Sequence, residues 1–138
     1  MSADRSLARR QAQLVAALVA GGPVPAGLDR DRVAATARAL LRKRATAAAE
    51  AWPVLAATLG PVWPAAFAAN RAGEPPVGGL RDGWHVARAL RELGELPAPA
   101  AAELADQERA MHYDGINPPR PRRSARLLDW GRRLAAGR

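Results

Sequence analysis

Cysteine is absent from this sequence, which excludes a disulfide framework, a thiolate nucleophile and any cysteine-ligated metal. Histidine occurs only at His85 and His112, 27 residues apart. Ser2, Ser6 and Ser124 have no adjacent base or glycine elbow, so nucleophilic catalysis has nothing to rest on. Long apolar runs are missing too. Leu14 to Ala20 is apolar but far short of a membrane span, and nothing reads as a signal peptide. The expectation is a cytoplasmic protein without a membrane segment. Aromatic side chains are scarce, with four tryptophans, one tyrosine and one phenylalanine, while alanine makes up much of the 49% hydrophobic share. Alanine favours helix and close helix approach but adds little burial energy, so the tryptophans must carry much of the core.

Acidic residues are outnumbered 13 to 21, for a net charge of +8, and the excess is uneven. Residues 118–138 hold seven arginines and one aspartate, a net of +6; the first 117 residues have a net of +2. At 138 residues the chain suits one domain with a real core. A near-neutral helical domain over residues 1–112 and a basic Pro/Arg-rich tail over 113–138 follow from this division.

Hydrophobic spacing predicts helices and no strand. Between Asp31 and Ala51 the residues Val33, Ala37, Leu40, Leu41, Ala45, Ala48 and then Trp52 recur at three- and four-residue steps, one stripe of a long helix. Asp29 and Asp31 supply acceptors for its first turn, and Pro53 ends it. At 1.5 Å per residue it reaches roughly 31 Å, the width of a small domain, so the rest is expected to pack around it. Its other side carries Arg38, Arg42, Lys43 and Arg44, which read most simply as a solvated basic face.

A first amphipathic helix over 4–20 has Leu7, Leu14, Val15 and Leu18 on one side and stops at Gly21-Gly22. Short helices follow Pro53 and Pro61, and residues 73–79 form a loop. A further helix runs from Asp82 to Leu93, and a last core helix runs from Leu96-Pro97 through Leu104 to Met111. The result is an all-α bundle around one long central helix. After Tyr113, Asn117 to Arg123 is extended and basic, and Ser124 caps a short helix over 125–135 with Leu127, Leu128 and Leu134 on one flank and Trp130 beside them.

Two chemistries can be read from these residues. Asp82 stands three before His85 and Glu108 four before His112, so each pair can share a helix face; together they would resemble a carboxylate-bridged metal site. Helical ion-pair partners are the simpler reading, and no metal or cofactor is expected. The basic tail suits phosphates, with Trp130 available to stack on a base, but no base-reading helix can be identified.

One ordered set of short motifs is more specific. Ala51-Trp52-Pro53-Val54-Leu55 is followed by Leu59-Gly60, Trp63 and Phe67, Pro75-Pro76, Asp82-Gly83, and Leu96-Pro97 leading to Leu104 and Glu108, with the basic Arg42-Lys43-Arg44 ahead of the turn. This order, over roughly residues 7–110, resembles the helical N-terminal domain of a bacterial family labelled DNA-binding, whose members partner multinuclear non-haem iron oxidases, including the partner proteins of methanobactin-type peptide maturation. The resemblance implies a non-catalytic partner: the iron enzyme oxidises a ribosomally made precursor peptide, and the partner helps to present that peptide. Longer members carry a C-terminal domain associated with peptide recognition, where this chain has its basic tail. Trp52, Pro53, Gly60, Asp82, Gly83 and Pro97 match the signature and are expected to act as scaffold. For the tail, Arg120, Arg122, Arg123, Leu127, Leu128, Trp130 and Leu134 are the expected partner-binding residues, with folding back onto the bundle as the alternative. Nucleic-acid binding of low sequence specificity is the second functional expectation.

Overall fold

The computed structural model describes residues 2–123. It is an all-α bundle of six α-helices: α1 (Ser2–Ala20), α2 (Arg30–Ala51), α3 (Pro53–Leu59), α4 (Trp63–Arg71), α5 (Gly79–Glu92) and α6 (Ala98–Ala110). A single 3-10 turn, Gly60–Val62, joins α3 to α4. The expected last helix, with Leu127, Leu128, Trp130 and Leu134, lies outside the described residues.

The long helix forms where its sequence indicates. The Asp29 carboxylate accepts from the amides of Asp31 and Arg32 at 2.9 and 3.3 Å, and the helix ends at Trp52, whose amide still bonds to Ala48. Pro53 then opens α3, and the chain bends by 118° between α2 and the α3–α4 segment. Helix α3 has no cap from its own side chains. Instead the Glu103 carboxylate of α6 accepts from the free amides of Val54 and Leu55 at 3.1 and 2.7 Å, satisfying donors that helix starts leave orphaned. Gly60 closes α3 at φ 54°, and Pro97 stands just before α6, where its carbonyl accepts from Ala101.

The core lies between α2, α3, α4, α5 and α6. Trp52, Leu55, Phe67, Trp84, Val86 and Ala87 are fully enclosed. The Trp52 and Trp84 rings meet edge to face at 5.6 Å. Each indole of the turn region also ties two segments together. Trp52 Nε1 donates to the Leu80 carbonyl at 2.8 Å, and Trp63 Nε1 donates to the Ala45 carbonyl at 3.0 Å.

Helix α5 starts at Gly79, three residues before the expected start at Asp82, so the last glycine assigned to the loop is helical. The reason is the closeness of α2. A methyl group on Gly79 would lie 2.4 Å from the Ala47 carbonyl oxygen, and one on Gly83 would lie 2.2 Å from Trp52 Cδ1. Glycine's missing Cβ, ordinarily a cost in a helix, is what lets the two helices approach.

Two expectations are corrected at the edges of the bundle. Helix α1 buries little: only Ala17 is buried among its described side chains, and Leu7 and Val15 are 56% and 57% exposed. At the other end, Tyr113 does not open a free tail but is core, 3% exposed. Met111–His112 (β1) and Arg120–Pro121 (β2) pair antiparallel, with Met111 opposite Pro121 and His112 opposite Arg120. Between them the Asp114 carboxylate accepts from the amides of Ile116 and Asn117 and from the Asn117 side chain, a local turn that sequence periodicity does not reveal. These bonds hold the Asp114 carboxyl down to about 2.

Trp52→Ala should lower stability by about 3–5 kcal/mol in denaturant unfolding, since it empties the enclosed bend and removes the bond to Leu80. Gly83→Ala should cost about 1–3 kcal/mol by overpacking. A variant of either kind that unfolds at the parental midpoint would show that the α2–α5 contact does not organise the fold.

Candidate interaction site

The basic run on α2 divides into two groups. Arg38, Arg42 and Lys43 are exposed, as a solvated face requires. Arg44 departs from that expectation. Its Nε and Nη2 donate to Asp82 Oδ2 and Oδ1 at 3.2 and 3.0 Å, and its Nη1 donates to the Glu74 carbonyl at 3.0 Å. From α4, Arg71 Nε donates to the same Oδ1 at 3.0 Å. Asp82 is 1% exposed, so it is neither a helix cap nor a partner on the surface. It is a buried carboxylate binding α2, α4 and α5 through two guanidinium groups. The forked geometry of arginine satisfies both carboxylate oxygens and leaves further donors for the loop carbonyls.

A second cluster surrounds Tyr113. Its hydroxyl lies 2.8 Å from His85 Nε2, its ring packs 5.1 Å from Trp84, and its carbonyl accepts from Arg88 at 2.8 Å. Arg88 also lies over the Trp84 and Tyr113 rings, at 5.4 and 5.3 Å, and Arg81 bonds to the Ile116 carbonyl. Burial lowers the His85 pKa from its ordinary value of 6.5, with Arg71, Arg88 and Arg81 adding to the effect and Asp82 opposing it. Trp84 Nε1 is buried without a hydrogen-bond partner among the described residues, so this indole serves by bulk and ring contacts.

The two carboxylate–histidine pairs do not converge on a shared site. Asp82 is held by arginines. Glu108 is held by Arg88 and Arg91 at 3.3 and 3.2 Å; burial alone would raise its pKa, but these bonds lower it. His112 is exposed. Of the expected signature residues, Trp52, Asp82 and Gly83 meet at the α2–α5 seam, while Pro53, Gly60 and Pro97 set helix ends. Of the expected partner residues, Arg120, Arg122 and Arg123 are exposed, and the Arg122 amide bonds back to Ala110.

Two apolar grooves lie beside the exposed arginines. One, of about 260 Å³, runs between α2 and α4, lined by Arg38, Leu41, Arg42, Pro64, Ala65 and Ala68. The other, of about 200 Å³, lies between α1 and α2 and includes Leu18, Ala37, Leu40 and Arg44; it shares Arg38 and Leu41 with the first. The spacing of leucines and arginines announces an amphipathic helix in the sequence. That part of its apolar stripe, at Ala37, Leu40 and Leu41, borders open grooves is visible only in the structure.

A profile described as SCO6045-like, C-terminal domain, matches residues 8–92, from α1 to the end of α5. The chain belongs to this family. It is also 38% identical over 133 residues to a UPF0276 protein of Streptomyces avermitilis, a match that takes in 96% of this chain and 27% of the relative. The chain therefore spans about a quarter of that relative's length. No solved structure matches it. The SCO6045-like match stops before α6 and the hairpin, whereas the similarity to the Streptomyces protein covers nearly all the chain.

Replacing Asp82 with alanine should destabilise by about 3–5 kcal/mol, because Arg44 and Arg71 lose their shared counter-ion in a buried setting. For His85 the folded state binds its proton less readily than the unfolded state. Stability should therefore fall as pH drops below about 6.5, until the folded form also protonates. In His85→Gln that part of the pH dependence should disappear from thermal melts. A slope unchanged between pH 7 and 5.5 would assign it to other groups.

Proposed function

We propose that this chain is a non-catalytic partner of a multinuclear non-haem iron-dependent oxidase that modifies a ribosomally made precursor peptide. The observation that carries this reading is the Streptomyces relative. There the sequence matching this chain is 27% of a longer protein, so most of that protein lies outside the match. Domains sharing one chain meet at high effective concentration. A related domain is then suited to bind an equivalent unit.

Three features support the partner role. The ordered signature from Trp52-Pro53 to Leu96-Pro97 resembles oxidase-partner proteins. Its most distinctive residues hold helices together: Trp52 and Gly83 form the helix seam, and Asp82 binds two arginines. The titratable groups of the core are likewise bound to one another, Asp82 to Arg44 and Arg71, His85 to Tyr113, and Glu108 to Arg88 and Arg91. What remains for a partner is surface. Peptide oxidation, on this reading, belongs entirely to the iron enzyme, and this chain presents substrate or steadies the enzyme.

A second reading, nucleic-acid binding, is favoured by the exposed Arg38, Arg42, Lys43, Arg120, Arg122 and Arg123 and by the net charge of +8. It predicts weak binding, indifferent to sequence and lost with salt, because arginines would meet phosphates rather than base edges.

The deciding experiment uses the part of the Streptomyces protein outside the match, expressed by itself. It should bind more than one iron per chain and form a complex with this chain that survives gel filtration. This chain alone should oxidise no peptide. An iron-free unit, or one that elutes separately from this chain, would defeat the partner reading. Sequence-selective DNA binding that persists at about 200 mM salt would favour the second reading instead.

A further inference from the structure

We infer that the face of α2 flanked by α1 and α4 is a docking surface for an acidic amphipathic helix of a protein partner. That the occupant is a protein rests on the partner reading above; the groove and its charges do not depend on it. The two grooves share Arg38 and Leu41, so they lie on either side of one ridge of α2. At about 200 and 260 Å³ each is smaller than the roughly 300 Å³ at which small-molecule pockets begin. Each suits a single leucine-sized side chain. Two anchors separated by the width of a ridge are what a helix offers when apolar residues recur at i, i+4 and i+7. Ala37, Ala65 and Ala68 keep the walls low, so a helix can approach closely.

Charge selects the occupant. Arg38 and Arg42 line the groove against α4 and are exposed, and no acidic side chain among the described residues pairs with either. Their neighbour Arg44 is already committed to Asp82. An occupant with glutamates flanking its leucines gains two ion pairs at the rim and covers the apolar floor. Such rim charges govern association rate and specificity more than affinity. Nucleic acid answers the charges but leaves the apolar floor uncovered. This chain's own residues 118–138, at net +6, carry the wrong sign. A second copy presenting the same face is repelled for the same reason.

The test has two arms, both on the full chain. In the first, a synthetic helical peptide with leucines at i, i+4 and i+7 and glutamates elsewhere is titrated into isotopically labelled protein. Amide shifts should centre on Ala37, Leu41, Ala65 and Ala68. They should vanish in Arg38→Glu/Arg42→Glu and persist in Arg5→Glu/Arg9→Glu, which changes the charge equally on α1. Equal loss in both variants, or shifts centred on the first half of α1 or on the β1–β2 hairpin, would overturn the assignment; shifts at Ala17 and Leu18, which line the groove between α1 and α2, support it. So would dilution-dependent shifts at these residues without peptide, which would make a second copy the occupant. Because the chain lacks cysteine, a spin label at Gly137→Cys reports on the tail; broadening of Ala65 and Ala68 without peptide would make the tail the occupant and also overturn it.

In the second arm, the separately expressed remainder of the Streptomyces protein is the probe. Arg38→Glu/Arg42→Glu should weaken its binding by about tenfold at low salt, with an unchanged melting temperature, and the α1 variant should bind as the parent does. Unweakened binding would reject this face while leaving the partner reading intact. No binding by the parent would reject the partner reading, and the peptide arm would still decide the face.

Discussion

The closeness of α5 to α2 governs this fold. Gly79 and Gly83, one helical turn apart, remove the Cβ atoms that would otherwise strike the Ala47 carbonyl and the Trp52 ring. Only at that separation can Trp52 reach the Leu80 carbonyl, and only there does Asp82, between the two glycines, meet Arg44 of α2. Arg71 completes the arrangement from α4. The seam is thus steric, apolar and ionic within five residues. A buried carboxylate with two arginines is not by itself a large stabiliser, because desolvation offsets much of its attraction. Its effect is selective: other registers of α5 on α2 would leave charge buried without a partner.

Much of this was legible in the chain. The long helix, its Asp29 cap, its end before Pro53 and the importance of Trp52 follow from periodicity and local chemistry, and all of them are present in the structure. Other features could not be read because they depend on residues distant in sequence. Arg44 looks like any member of a basic run until Asp82, 38 residues away, comes beside it. Glu103 looks like a surface residue of α6, yet it caps α3. Gly79 reads as a loop residue because a glycine required by a neighbouring helix has the same local signature as a glycine required by a turn. Tyr113, followed by polar and proline-rich sequence, gives no local sign that it closes over Trp84. Helix α1 errs the other way: its apolar spacing suggests burial, yet Leu7 and Val15 stay exposed.

These points bear on function. Trp52, Asp82 and Gly83 lie inside the α2–α5 seam, so they explain why the domain keeps its shape rather than what it touches. What the surface offers for recognition is its exposed arginines, Arg38 and Arg42 among them, and the small residues of α4.

Native-state hydrogen exchange tests the central claim, that the α2–α5 seam holds the remainder together, most directly. The amides of residues 45–51 and 83–90 should exchange only through global unfolding, with the full free energy measured by denaturant, while those of α1 should open locally and sooner. If α1 proves as protected as α5, or if the seam amides exchange through a lower-energy local opening while α6 remains protected, the seam is not what the structure depends on.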